Sequence, residues 1–568
     1  MPNQNPLVDS EEPNDNKNNN NNNNNDHHVP TTPTPPPPPP PPPTYPTGLR
    51  QNLTLLATSL SIFLVSLDST LLSTTIPSIL DTFHHLSHTT WYTTSYMLGM
   101  ATTQAFWGKA YSCWPLKSTF LISGIIFSTG AGICAVAPTS EVFILGRVVG
   151  GFGGAGVAAG TFLIVACTAP VEKRPVRLGV VSLWFVVAAV VGPLAGGVLA
   201  TKVSWRAGFY VGLPIGGISL VLIFFFFETP AHARPAPSSF RGKLLQLDFA
   251  GMLLTIAFGA CLVLALQWAG ITKSWKSGPV IGCLLSAGLA LSLLISVEIF
   301  LGELAGLSSR LIRQNKTIAL QLLFNITVSG TYYLMLYYLP LFFQIIQGVN
   351  AAQSGLRILA LVGTSAPVAI LSGLILSNTQ DYQLIMLISA IFSTVGSSLI
   401  FTLGPQSSTL QTIKYQIFVG IGLGLSIQLS IIVCQNVVAA SDLTRANTWA
   451  LWIQLLGGAV VLAVAQSAVS NRLLAVLPEF APQVSSAAVL EAGPGNFRAE
   501  LEAEQIGEVV RAYMSGLKIA FGIALALSCG SVVVALLVLV VDRRKLGDGR
   551  LGDAEKLQVE SASEETVA

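Results

Sequence analysis

Two ionisable residues lie well inside apolar stretches of the sequence, Asp68 in residues 53–77 and Arg147 in residues 142–167. A charge inside a membrane span costs at least about 2.5 kcal/mol on insertion scales, so it needs a partner or a role. At a rise of about 1.5 Å per residue, Asp68 lies about 23 Å from the inner edge and Arg147 about 8 Å from the outer edge. In a hydrocarbon layer about 30 Å thick these depths coincide, which predicts that the two side chains pair.

A carboxylate that faces an arginine in an apolar setting can exchange that partner for a proton. Burial disfavours the charged carboxylate, whereas the cation favours it, so a small change in surroundings decides between the two forms. The pair Asp68 and Arg147 therefore has the chemistry of a proton carrier. Two alternatives stay open, a permanent structural ion pair and an Asp68 that is solvated at the outer mouth.

The elements that must position this pair are membrane spans. Hydrophobic residues make up 51% of the chain and charged residues 10%, and the mean hydropathy is +0.62. Fourteen apolar segments are long enough to cross the hydrocarbon layer at about 20 residues each. We place them at 53–77, 91–111, 118–138, 142–167, 178–200, 207–227, 248–269, 278–300, 317–345, 354–377, 382–403, 413–437, 446–469 and 516–541. The sequence therefore predicts an all-α integral membrane protein that lies in the lipid bilayer.

The placement of Lys and Arg predicts the orientation. Alternate loops collect residues such as Lys109, Lys173, Arg310 and Arg445, and these loops share a side with both termini. Because cytoplasmic loops carry an excess of Lys and Arg, both termini are expected in the cytosol. The expected location is the cell membrane, with the vacuolar membrane as the alternative. The net charge of +2 and the lack of a basic stripe give no indication of nucleic-acid binding.

The first fifty residues differ in character from the rest. They contain an asparagine run at 18–25 and a proline run at 35–43, neither of which can bury a core. We expect residues 1–50 to form a disordered cytoplasmic tail whose proline tract samples polyproline II.

Several site classes are excluded or disfavoured. Residues 151–156 match a G-x-G-x-x-G pattern, but they lie in an apolar span without a βαβ context, so helix packing explains their glycines better. No Walker A loop, H-E-x-x-H or G-x-S-x-G motif is present, so no enzyme activity and no cofactor are expected. His84, His85 and His88 cluster in one loop, but with only Asp81 nearby no metal site is expected.

Residues 192–197 read Gly-Pro-Leu-Ala-Gly-Gly within the span 178–200. A proline inside a helix removes a backbone hydrogen bond and bends the helix, and glycines let a neighbouring helix approach closely. We predict that a helix of the second half of the chain packs here, at Gly192, Gly196 and Gly197.

Taken in order, the motifs of residues 50 to 545 resemble those of the fourteen-span drug:proton antiporter branch of the major facilitator superfamily. They are Leu67-Asp68-Ser69-Thr70, Ile76-Pro77, Trp91, Ser95-Tyr96, Gly146-Arg147, and Gly179 followed by Gly192-Pro193 and Gly196-Gly197. Further motifs narrow the resemblance to fungal efflux pumps for toxins and drugs, namely Trp205-Arg206, Phe209-Tyr210, Leu213-Pro214, residues 264–268, Tyr337-Tyr338-Leu339-Pro340, Phe343-Gln344 and Gln353-Ser354-Gly355.

The resemblance implies a monomeric exporter that is driven by the proton gradient, with six, two and six spans. The implied divisions are an N-terminal half at 51–230, two extra spans at 231–305, a C-terminal half at 306–545 with an external loop at 470–515, and a tail at 546–568. Asp68 and Arg147 are the implied proton-coupling residues. Gly179, Gly192, Pro193, Gly196 and Gly197 form the antiporter motif, and Gly108, Lys109 and Lys117 belong to a conformational loop.

The chain also departs from the family pattern and repeats itself internally. Ser112 stands where the conformational loop usually has an aspartate, which puts its usual cytoplasmic latch in doubt, and Ala188 replaces a glycine. Arg147 with Gly151 and Gly153 in span 4 aligns with Gln416, Gly420 and Gly422 in span 12, as expected for two related halves.

Polar and aromatic residues inside the spans predict the cargo. An interior with amides and aromatics suits a neutral amphipathic organic molecule. The candidate lining residues are Tyr96, Gln104, Trp184, Tyr333, Gln344, Gln428 and Gln454, each of which could instead face lipid or pack between helices. Glu298 and Glu303 are expected to be solvated at the end of span 8. Besides an exporter of a toxin, drug or secondary metabolite, two alternatives remain, a proton-coupled carrier for a siderophore or vacuolar amino acid and a non-transporting sensor.

Overall fold

The computed structural model of the protein describes residues 48–83, 89–170, 173–230, 247–270, 273–302, 307, 309–349, 351–438, 442–485 and 503–542. The predicted tail at 546–568, nearly all of the predicted tail at 1–50, and the three clustered histidines lie outside the described residues. Gly48, which sequence analysis assigned to the tail, already begins the first helix.

Within the described residues the chain forms sixteen helices and no strand. They are α1 (Gly48–Phe83), α2 (Thr89–Cys113), α3 (Leu116–Val136), α4 (Ser140–Thr168), α5 (Arg174–Lys202), α6 (Arg206–Phe226), α7 (Phe249–Trp268), α8 (Gly278–Leu301), α9 (Arg310–Gln314), α10 (Lys316–Ile345), α11 (Ala351–Thr379), α12 (Tyr382–Phe401), α13 (Thr409–Ser426), α14 (Leu429–Asn436), α15 (Leu443–Phe480) and α16 (Ala503–Val541).

Each of the fourteen predicted spans corresponds to one long helix, or to α13 and α14 together. Thirteen of these elements are long and apolar enough to cross a membrane. The exception is α2, whose 25 residues include buried polar side chains at Thr102, Thr103 and Gln104. A helix enclosed by other helices can be polar because little of its surface meets lipid. The structure therefore confirms an all-helical membrane fold and is consistent with fourteen spans.

Both ends of the predicted external loop at 470–515 are helical. Helix α15 continues to Phe480 and α16 begins at Ala503, while residues 486–502 lie outside the described residues. Leu473, Val476 and Leu477 are at most 4% exposed, so this extension packs against the protein.

The internal repeat suggested by the glycines is visible in the packing. In α4, Gly151 lies against the Tyr96 carbonyl of α2 and Gly153 against the Phe127 backbone of α3. In α13, Gly420 lies against the Leu361 carbonyl of α11 and Gly422 against α12. The glycines let a central helix approach two neighbours closely in each half.

The two sets of helices meet along two seams. One joins α5 to α11 and the other joins α2 to α15. Helices α7 and α8 pack on each other, and α7 also contacts α2 and α15. The seams enclose a central cavity, while the α7 and α8 pair flanks the second seam.

Candidate functional site

Asp68 and Arg147 form a buried ion pair, as their predicted depths require. Arg147 Nη1 donates to Asp68 Oδ2 at 2.5 Å. The Arg147 side chain is 1% exposed and the Asp68 side chain is 11% exposed. Arg147 Nε also donates to the Tyr92 carbonyl at 3.0 Å, and its guanidinium lies 4.3 Å from the centre of the Tyr96 ring. Within the described part of the chain, Arg147 Nη2 has no hydrogen-bond partner. Besides Asp68, Arg147 is therefore held by the Tyr92 carbonyl and the Tyr96 ring.

A row of hydroxyl groups joins α1, which carries Asp68, to α5. Ser66 donates to the Phe185 carbonyl at 3.0 Å and Thr70 to the Ala188 carbonyl at 3.1 Å. Thr74 donates to the Pro193 carbonyl at 3.1 Å. The three donors are spaced by four residues and share one helix face. Because Pro193 removes a backbone donor from the hydrogen-bond ladder of α5, the donors from α1 add bonds to carbonyls in this region and tie the two helices together.

Gly192 and Gly196 of the antiporter motif face α1, which corrects the prediction that a helix of the second half packs against them. A Cβ built at Gly192 would lie 2.1 Å from Thr70 Oγ1, and one at Gly196 would lie 2.7 Å from the Leu71 carbonyl. A Cβ at Gly197 meets nothing within 4 Å. These glycines therefore allow close packing within the first half of the chain.

The second half meets α5 at other positions of the motif. A Cβ at Gly179 would lie 3.0 Å from Ile370 Cα of α11. Farther along α5, Pro193 meets α11, because a Cβ built at Gly355 of α11 would lie 3.7 Å from Pro193 Cβ. One motif thus faces two partners, α1 through its later glycines and α11 through Gly179 and Pro193.

The central cavity lies between the two seams and has a volume of about 840 Å³, including its open part. Three of the predicted cargo-lining residues, Tyr333, Gln428 and Gln454, lie on its wall. None of its lining residues is charged, and Gln428 Oε1 has no hydrogen-bond partner within the described residues. This volume suits a small organic molecule.

The other four predicted lining residues lie elsewhere. Tyr96 is covered by Arg147 and donates to the Val65 carbonyl at 3.1 Å. Gln104 is fully buried, Trp184 packs edge-on against Phe63, and Gln344 donates to Ser354 at 3.4 Å. Sequence reasoning missed apolar and hydroxyl residues of the wall, for which the sequence carries no signal beyond their position in a span. They include Met100, Phe162, Ser182 and Phe185.

Two residues of the conformational loop, Gly108 and Lys109, lie on α2 near its contact with α15. A Cβ at Gly108 would lie 1.9 Å from Thr448 Oγ1, so the two helices touch there. Lys109 is 8% exposed and interacts electrostatically with Asp248 and Glu298. Lys117 lies farther off, 5.3 Å from the centre of the Phe224 ring.

Glu298 is buried, which corrects the expectation that it is solvated. It is 7% exposed and accepts a hydrogen bond from the Leu307 backbone at 3.0 Å. Asp248, also 7% exposed, caps α7 through the Gly251 backbone at 2.7 Å. The carboxyl groups of Asp248 and Glu298 therefore lie near Lys109. The conformational loop itself has Ser112 in place of its usual aspartate. Glu303 lies outside the described residues.

Comparisons with known proteins agree with this architecture. A sequence profile described as "Major Facilitator Superfamily" matches residues 58–462. The chain is 37% identical to "MFS-type transporter thnB" of Trichoderma harzianum over 88% of this chain and 86% of that protein. It is 37% identical to "Efflux pump roqT" of Penicillium rubens over 84% of this chain and 88% of that protein.

Among solved structures, a major facilitator proton:xylose symporter bound to a bromodeoxyglucose superimposes with a TM-score of 0.57. The match covers 86% of this chain and 95% of the symporter at 14% sequence identity. At that identity the likeness concerns the fold alone.

Proposed function

The chain belongs to the major facilitator superfamily, and we propose that it exports a small amphipathic organic compound in exchange for protons. As a member of this family it is a multi-pass membrane transporter of small-molecule cargo and not an enzyme. The observation that carries the proton coupling is the buried Asp68 and Arg147 pair on α1 and α4. Relatives that are named efflux pumps support the export direction.

Asp68 and Arg147 would couple the proton to the rocking of the two halves. When Asp68 takes a proton, its attraction to Arg147 falls, and α1 is freed from α4 at this point. Because α1 is tied to α5 through Ser66, Thr70 and Thr74, the change passes to the helix that contacts α11. No cofactor is needed for this exchange, and the proton gradient supplies the energy.

The cavity favours a neutral cargo. Apolar side chains would hold the body of the molecule, while Tyr333, Gln428 and Gln454 would supply polar anchors. A basic amino acid would need carboxylates, and the lining residues include none. A toxin, drug or secondary metabolite therefore fits better than a cationic nutrient.

The orientation and organisation are part of the same proposal. Arg310 and Arg445 both donate to Asp442, and Lys109 lies near Arg445. We assign the end of the bundle where these cations gather to the cytosol, together with both termini. The protein would act as a monomer in the cell membrane. Its halves would be 51–230 and 306–545, with two extra spans between them, and the repeated glycine packing of α4 and α13 supports this division.

The direct test is accumulation in inside-out vesicles that contain the protein. A panel of labelled neutral amphipathic fungal metabolites is offered with and without an imposed pH gradient. Gradient-dependent accumulation of any member supports proton-coupled export. Uptake of siderophores or amino acids instead supports a nutrient carrier, and binding of a member without transport supports a sensor.

Replacing Arg147 by Ala should move the pH optimum of transport upward or stop transport. Without its cation, Asp68 favours the neutral form and releases its proton only at higher pH. The measurement is the rate of gradient-driven transport as a function of pH, with Arg147→Lys as the control that keeps a cation. Full activity of Arg147→Ala with an unchanged pH profile would show that the two residues do not communicate.

Replacing Gln428 by Leu should weaken cargo binding several-fold. A neutral hydrogen bond contributes about 0.5–1.5 kcal/mol, which corresponds to a few-fold up to about tenfold in the dissociation constant. Binding of the transported compound to purified protein gives the measurement. Gln344→Leu, a matched change outside the cavity, should leave the constant unchanged, and equal effects of both variants would argue against Gln428 as an anchor.

A further inference from the structure

A second, narrower opening lies beside Asp68, on another face of α1 from the central cavity. Its volume is about 380 Å³, including its open part, and it has room for a water molecule. We call it the flank crevice. Its walls include Leu64 and Leu71 of α1, Ser128 and Ala131 of α3, and Gly208 and Gly212 of α6.

The flank crevice and the central cavity use different faces of α1. Leu64, Leu67 and Leu71, spaced by three and four residues, line the crevice, whereas Ile62 and Val65 line the cavity. With about 3.6 residues per turn, these two sets point in well-separated directions from the helix axis. Asp68 lines the crevice and is not among the cavity-lining residues.

Glycines of α6 keep the crevice open. Gly208, Gly212 and Gly216 recur every four residues on the face of α6 that meets α1 and α3. A Cβ built at Gly212 would have only a Leu64 methyl group within reach, at 3.9 Å. The space that a side chain would occupy there is therefore vacant.

The opposite side of the carboxyl group is closed by packed side chains. Arg147 and Tyr96, each 1% exposed, cover Asp68 from α4 and α2. Besides Arg147, the titratable groups that interact with this pair from packed helices are Tyr96 and Cys134 of α3. The Asp68 side chain is 11% exposed and lines the flank crevice.

We propose that the flank crevice is the route by which protons reach Asp68, separate from the cavity that holds the cargo. This inference rests on the proposed role of Asp68 as the proton-binding residue. Water in the crevice would deliver the proton to the carboxyl group. Proton and cargo would then not compete for one space, and their exchange would depend on the movement of α1.

The test is proton uptake by the purified full-length protein after a rapid drop in pH, followed with a soluble pH-indicator dye. The component due to Asp68 is the part that Asp68→Asn lacks. Gly212→Leu on α6 and Ala131→Leu on α3 fill the crevice from two walls. Gly217→Leu is the matched control, since a Cβ there meets nothing within 4 Å. Val181→Trp fills the central cavity instead.

Gly212→Leu and Ala131→Leu should both slow the part of proton uptake that is due to Asp68. The final amplitude of that part should be unchanged, and an unchanged amplitude also shows that the variant is folded. Gly217→Leu and Val181→Trp should leave the rate of that part unchanged, although Val181→Trp loses cargo transport. Slowing by Val181→Trp alone, or unchanged rates in both crevice variants, would overturn the crevice route and leave the role of Asp68 intact. If Asp68→Asn takes up as many protons as the natural protein, the proton-binding role itself fails.

Discussion

Replacing Asp68 by Asn abolishes gradient-driven efflux, while the protein still inserts into the membrane and still binds its cargo. The amide keeps the size of the carboxyl group and can accept the hydrogen bond from Arg147, but it cannot take up and release a proton. Breaking a buried pair on one side costs about 3–5 kcal/mol when the remaining charge is left uncompensated, so a lower thermal stability is also expected.

The measurement for Asp68→Asn is cargo flux in proteoliposomes with an imposed pH gradient, beside equilibrium cargo binding. Asp81→Asn is the matched control, because Asp81 is an exposed carboxylate on the same helix. It should transport at the natural rate. Natural efflux by Asp68→Asn would exclude this residue as the proton carrier.

The ion pair could be predicted from sequence because it depends on depth alone. Fixed rise per residue and fixed membrane thickness placed Asp68 and Arg147 at one level, and an unpaired charge there would be costly. The structure brings them to 2.5 Å. The repeat in α4 and α13 could also be predicted, since it depends only on the spacing of glycines along each helix.

The direction in which each helix face points could not be predicted in the same way. A membrane span whose whole surface is apolar has no polar and apolar faces, so its sequence does not distinguish the side that faces protein from the side that faces lipid. The sequence therefore placed Gly196 and Gly197 together, although a Cβ at Gly196 would meet α1 and a Cβ at Gly197 would meet nothing within 4 Å. For the same reason the sequence placed Tyr96 and Gln344 on the cavity wall, whereas the structure has Met100 and Phe162 there.

The burial of Glu298 has a related cause. Its position at the end of an apolar span predicted contact with solvent, but the Leu307 backbone, which lies beyond the end of α8, donates to it. That contact joins residues nine apart across a break in the helix. Helical periodicity cannot reveal such a contact, because it describes only the regular part of the chain.

Replacing Gly196 by Leu should stop export even though the protein reaches the membrane. A Cβ at this position would lie 2.6 Å from Thr74 Oγ1 and 2.7 Å from the Leu71 carbonyl. The hydroxyl can turn away, but the backbone carbonyl cannot, so α5 must move off α1. Overpacking of this kind costs typically about 1–3 kcal/mol.

The separation of α5 from α1 would also break the bonds from Thr70 and Thr74 to the Ala188 and Pro193 carbonyls. Gly197→Leu provides the matched control, because the same side chain one residue later meets nothing within 4 Å and should be tolerated. Proton flux and cargo flux are measured in the same proteoliposomes for both variants. Normally coupled transport by Gly196→Leu would show that the α1 and α5 seam does not carry the coupling. Equal loss in both variants would show that added bulk in α5, rather than its contact with α1, is the cause.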